Sequence, residues 1–273
     1  METRSVERRE LVLMAVVVIG LSRLLDGPLS WLVAALLAGS VVFGALAFLG
    51  QGRAGTIPVE STILPALAAL ASLGAIRVVP DGLPILVAVA LAGLLLDRTL
   101  ALERHLQRRI SPPSADDRTL VLSVAVLVAF LAFVGSAALV QGGLVEPAGP
   151  AVGAGTTGTA ALSEPALVVL ALVEAFVAGL LGFRLAVLRE RNRRAAVWSA
   201  ITYAAVVAIS AGAIRAVALP RLLGPAIVTL VFFLWDGIHG SAPTQRRDPR
   251  WIWQTALLGA LGLIVIAWNM ALR

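Results

Sequence analysis

The chain has 273 residues, of which 59% are apolar and only 14% charged, with a mean hydropathy of +0.93. Soluble domains average about 45–50% apolar and about 25% charged, so an ordinary water-soluble enzyme is excluded. The net charge of +6 comes from 22 basic residues, all arginine, against 16 acidic ones; no soluble basic face with interleaved aromatics goes with it, which argues against nucleic acid as a partner.

Residues 1–10 are charged and lead into an apolar run with no small-residue cleavage site and no polar mature segment after it. This reads as an uncleaved first span over 11–25. Eight more apolar segments follow, at 29–49, 57–79, 83–102, 119–140, 165–188, 195–219, 222–238 and 252–272. A helical span needs about 20 residues, so most qualify, while the first and eighth are short. The expectation is an all-α polytopic membrane bundle of nine spans, or eight if the first does not cross. It is read as one transmembrane domain over residues 1–273. Breaks at Asp26-Gly27-Pro28, at Pro80-Asp81-Gly82 and at Pro220 with Gly224-Pro225 make sequence neighbours antiparallel.

Positively charged segments are retained in the cytoplasm. With the N-terminus inside, the outer side keeps Arg23, Arg77, Arg215, Arg221 and Arg273, which leaves 17 of the 22 arginines inside. If the first span does not cross, Arg4, Arg8 and Arg9 move outside and the split weakens to 14 against 8. The segments 103–118 and 189–194 are then arginine-rich cytoplasmic loops, and 141–164 is an extracytoplasmic loop rich in Gly, Ala and Pro. The arginine-only basic set with abundant Ala, Gly and Leu fits a GC-rich bacterium and hence its cytoplasmic membrane. The lipid bilayer is the implied partner, with anionic headgroups at the cytoplasmic arginines; another membrane protein is a further candidate.

One weak repeat is visible. Ala92-Gly93-Leu94-Leu95 with Arg98 recurs as Ala178-Gly179-Leu180-Leu181 with Arg184, both 86 positions apart. A parallel duplication would produce this, and so would two Ala- and Leu-rich helices entering basic segments.

Ionisable residues inside spans are the informative ones, because a charge at the bilayer centre costs about 2.5–3.5 kcal/mol on insertion scales. Glu174 lies near mid-depth of the sixth span, and Arg215 lies on the seventh. The economical expectation is a Glu174–Arg215 pair. It is either a polar site for an ion, proton or lipid headgroup, or a structural contact that fixes helix register. A second set gathers at the cytoplasmic ends: Glu60, Asp97, Asp236 and His239. Asp236 and His239 are three apart and share a helix face, and such groups can ligate a divalent metal or act on a lipid phosphate if they converge. Otherwise they are interfacial residues solvated or paired with arginines such as Arg98.

No other motif carries chemistry. Gly153 to Gly158 formally matches G-x-G-x-x-G, but no strand precedes it and no helix begins at once, so it reads as chance. Serine elbows, Walker loops, H-E-x-x-H and Asp-rich prenyl-phosphate motifs are absent, and no cysteine is present. No catalytic residue, metal ligand or cofactor is assigned. His105 reads as a surface residue of the 103–118 loop. Ala175 with Gly179, Ala178 with Gly182, and Ala208 with Gly212 allow close approach of the sixth and seventh helices. Of the six tryptophans, most fall near span ends, as interfacial belts require. Three classes stay open: a non-enzymatic membrane component or interaction subunit, a transporter or lipid-handling protein using Glu174 and Arg215, and a membrane enzyme acting on a lipid phosphate through Asp97, Asp236 and His239.

Overall fold

In hydrocarbon every backbone polar group must be satisfied within its own segment, and a chain this apolar therefore resolves into helices. The computed structural model describes residues 2–25, 27–50, 58–108, 113–140, 164–190, 192–216, 222–240 and 249–271. Among them there is no strand, and the α-helices are α1 (Glu2–Ser22), α2 (Pro28–Gly50), α3 (Ile63–Ala75), α4 (Leu83–Arg108), α5 (Ala115–Val140), α6 (Glu164–Arg189), α7 (Arg193–Ala216), α8 (Leu223–Gly240) and α9 (Pro249–Ala271). Single turns of 3-10 helix, Val59–Thr62 and Ile76–Val78, extend α3 at both ends. Pro65 has no N–H to donate to the Ser61 carbonyl, and the residues ahead of it wind in the tighter form.

Seven of these helices are long and apolar enough to cross a membrane: α2 to α8, counting α3 with its two turns. The fold is an all-helical membrane bundle. α1 carries Arg8, Arg9 and Glu10 near its middle, and the apolar stretch of α9 is shorter. The loop 141–163, with its glycine motif, lies outside the described residues, as do 241–248 and the side chains of Arg215 and Trp251.

Several helices outrun their apolar stretch. α4 continues six residues past the predicted end at 102, and α5 begins at Ala115, ahead of the predicted 119. The α5 start is set by a reciprocal cap: the Asp117 N–H donates to Ser114 Oγ at 3.2 Å, and the Ser114 N–H donates to Asp117 Oδ2 at 2.9 Å. Gly27 and Gly82, at φ of +65° and +100°, make the turns before α2 and α4, where a side chain would be strained.

α3 is the hub. Leu64, Leu67, Ala68 and Ala71 belong to one apolar cluster with residues of α5, α6, α7 and α8, while Ala66, Ala69, Leu73 and Ile76 belong to a second with residues of α1, α2 and α4. Its alanines let neighbours come close, and at Gly74 the α5 backbone arrives directly: a Cβ on Gly74 would lie 2.5 Å from the Gly135 Cα. Small residues replace the hydrophobic drive that lipid does not supply. Hydroxyls inside the bundle turn back on their own helices, as Ser72 does to the Ala68 carbonyl, Ser136 to Phe133 and Thr229 to Pro225.

At the end of the bundle opposite the α1 N-terminus, two arginines exchange caps. Arg23 Nη1 donates to the carbonyls of Ile76 at 2.9 Å and Val79 at 2.6 Å, while Arg77 Nη2 donates to those of Ser22 at 2.9 Å and Leu25 at 2.5 Å. Each cation meets the open carbonyls of the other helix's C-terminus, where the helix dipole favours positive charge.

Candidate functional site

The arginine-rich end is where the polar chemistry gathers, and there each acidic residue singled out in the sequence meets an arginine of another helix, with one of them also joined by a tyrosine. Asp97 on α4 accepts from Arg8 of α1, Nε lying 2.8 Å from Oδ1. Glu60, in the turn before α3, lies 3.5 Å from Arg193 at the start of α7. Asp236 on α8 is 2% exposed as a side chain and accepts from Arg189 Nη2 of α6 at 2.6 Å and from the Tyr203 hydroxyl of α7 at 2.5 Å. His239 stacks on Trp235 one turn away, with ring centroids 4.2 Å apart.

Asp97 therefore faces α1, whereas Asp236 faces α6 and α7. No group of three or more His, Asp or Glu among the described residues is placed to hold a metal ion. His105 is exposed, as expected, and lies 3.8 Å from the cap residue Asp117.

The most deeply buried ion pair among the described residues joins Arg184, on the predicted sixth span, to Glu103, which the hydropathy pattern puts in the 103–118 loop. Because α4 runs on to Arg108, Glu103 is helical, and it points into the bundle at Arg184 of α6. Arg184 Nε donates to Oε1 at 2.8 Å and Nη2 to Oε2 at 2.5 Å, a bidentate fork with side chains 6% and 0% exposed. Glu60 is close enough to act on Glu103 electrostatically, so Glu60, Glu103, Arg184 and Arg193 form one charge group joining α3, α4, α6 and α7. The repeat in the sequence is not mirrored here, since Arg98, the counterpart of Arg184, is exposed.

Gly182 explains why Tyr203 reaches Asp236. A Cβ on Gly182 would lie 2.5 Å from the Tyr203 ring, and one on Gly179 would touch Ala204, so the expected small-residue face of α6 is used against α7. Gly212 is different: nothing lies within 4 Å of the Cβ position. Tyr203→Phe removes one of two donors to a buried carboxylate, and a group left short in this way costs about 1–3 kcal/mol. The expected outcome is a lowered thermal midpoint of the purified protein, with Trp198→Phe, on an exposed side chain of the same helix, leaving it unchanged.

Glu174 is fully buried on α6. The contacts of Gly179 and Gly182 fix the α6–α7 register and set Glu174 level with about residue 209, roughly 9 Å of helix rise from Arg215. Trp31, Trp198, Trp253 and Trp268 are exposed, whereas Trp235 turns inward and its Nε1 lies 3.4 Å from Thr202 Oγ1.

Comparison with protein-family models, with curated proteins and with solved structures finds no match to this chain. At the arginine-rich end Glu60, Asp97, Glu103 and Asp236 each meet an arginine across a helix boundary, an arrangement suited to holding helices in register.

Proposed function

We propose that this chain is a non-enzymatic, multi-pass component of the cytoplasmic membrane that serves as an interaction subunit, with its N-terminus and arginine-rich end in the cytoplasm. The observation that carries the reading is the pairing of Asp97, Glu60, Asp236 and Glu103 with Arg8, Arg193, Arg189 and Arg184. These carboxylates are committed to helix-to-helix contacts, and an enzyme acting on lipid phosphate would need some of them for metal or proton chemistry. The orientation is supported by the 17-to-5 arginine split. α9 supports the subunit reading: it packs on α8 and leaves Trp253, Leu257, Leu261, Leu263, Ile264 and Trp268 exposed, a long apolar surface for another membrane-spanning chain.

A second reading, transport or lipid handling through Glu174 and Arg215, is favoured by the complete burial of an acid at mid-depth. Native mass spectrometry of the gently solubilised full chain separates the two. The subunit reading expects a second polypeptide at fixed stoichiometry, lost when Leu257 and Leu261 are both changed to alanine. A chain that is monomeric under every mild extraction contradicts it and leaves the Glu174 reading in front.

A further inference from the structure

α1 and α4 pack as an antiparallel pair with a clear register. Arg8 meets Asp97, Gly93 lies against Val16 and Val12, and Gly20 lies against Val89. The seam between the helices thus runs through residues 8, 12 and 16 on one and 97, 93 and 89 on the other. One residue further along an α-helix is a turn of about 100°. In an antiparallel pair that step carries both helices toward the same side. Arg9 and Arg98 therefore project side by side, at the same level, and both are exposed. Below them the same one-residue offset places Leu13 and Val17 on α1 and Ala90 and Leu94 on α4, and these are exposed as well.

The result is an exposed apolar strip along the α1–α4 seam, headed at the arginine-rich end by two guanidinium groups. Neither Arg9 nor Arg98 has a hydrogen bond or ion pair among the described side chains. The Arg8–Asp97 pair between them is neutral and still partly open, at 34% and 28% exposure. Glu10, a further 100° round α1, turns away to the other side of the seam. Charge here is net positive where the apolar surface ends, and the apolar surface continues toward the membrane centre.

We infer that this strip is a binding site for an anionic phospholipid, its phosphate held between Arg9 and Arg98 and an acyl chain lying along Leu13, Val17, Ala90 and Leu94. Guanidinium groups match phosphate oxygens in planar, forked geometry, and they do so best where water is scarce. The apolar strip distinguishes a lipid from a soluble anion, since inorganic phosphate would gain nothing from it. The inference rests on the chain spanning a bilayer and holds whether or not it serves as a subunit.

The test uses the full chain in mild detergent, titrated with dioleoylphosphatidylglycerol and with dioleoylphosphatidylcholine and read by native mass spectrometry. One phosphatidylglycerol per chain is expected to survive at collision energies that strip phosphatidylcholine. The double variant Arg9→Gln/Arg98→Gln is expected to weaken its retention about tenfold or more, as loss of two basic contacts implies. Arg9→Lys/Arg98→Lys should keep much of it, and Arg118→Gln/Arg194→Gln, which removes two exposed arginines elsewhere, should keep all of it. Equal retention of the two lipids overturns the inference. So does equal loss in the Arg118/Arg194 control, or full displacement of the lipid by millimolar inorganic phosphate. Loss of a polypeptide partner in the same spectra bears on the subunit reading alone.

Discussion

Arg184→Leu is expected to remove most of the folded protein. It strands the Glu103 carboxylate, 0% exposed, without the fork that holds both its oxygens. Breaking a buried pair from one side costs about 3–5 kcal/mol, a large share of the roughly 5–15 kcal/mol by which proteins are stable. The double variant Glu103→Leu/Arg184→Leu is expected to recover much of the loss. Replacing both members of a buried pair by apolar groups is often neutral or better. Arg193→Gln, on a side chain 79% exposed, should change little. Folded yield and thermal midpoint by fluorescence-detected size exclusion give the comparison. If the double variant is as poor as the sum of the singles, Glu103 and Arg184 do not act as a pair.

Gly135→Val is expected to be as damaging, through packing with no charge involved. The Cβ position at Gly135 lies 2.8 Å from the Gly74 Cα, so the new atoms would press on helix backbone that has no rotamer through which to yield. Separating α3 from α5 also opens the cluster around Leu64, Leu67, Val128 and Phe133 that α3 organises. Overpacking typically costs about 1–3 kcal/mol, and a backbone contact stands at the upper end of that range. Gly212→Ala is the matched control. With open space at its Cβ it should be neutral or gain up to about 1 kcal/mol from helix propensity.

The helices were legible because hydropathy marks the part of each helix that lipid or core must cover. Their ends were less so. The polar last turns of α4 and the first turn of α5 carry no hydropathic signal, and Glu103 was consequently assigned to a solvated loop. The S-x-x-D pattern of Ser114 and Asp117 was the local cue that marked the α5 start. Pairing between distant helices depends on which face each residue occupies in the assembled bundle. Spacing predicted that Asp236 and His239 share a face of α8, but it could not tell that Arg189 and Tyr203 would meet Asp236 first. The small-residue face of α6 was readable from Gly179 and Gly182. The backbone-to-backbone contact, Gly74 against Gly135, joins helices with no shared motif and appears only once α3 is seen at the centre.

In the proposed orientation, the helix ends joined by arginine pairs lie together on the cytoplasmic side of one membrane bundle. The chain contains no cysteine, so single-cysteine variants report topology without background. Asp116→Cys and Asn192→Cys mark the arginine-rich end, and Asp81→Cys and Leu222→Cys mark the opposite one, all at exposed positions. In intact cells a membrane-impermeant maleimide should label the Asp81 and Leu222 variants and reach the Asp116 and Asn192 variants only after lysis. Labelling of Asp116→Cys and Asp81→Cys from the same side would contradict the account.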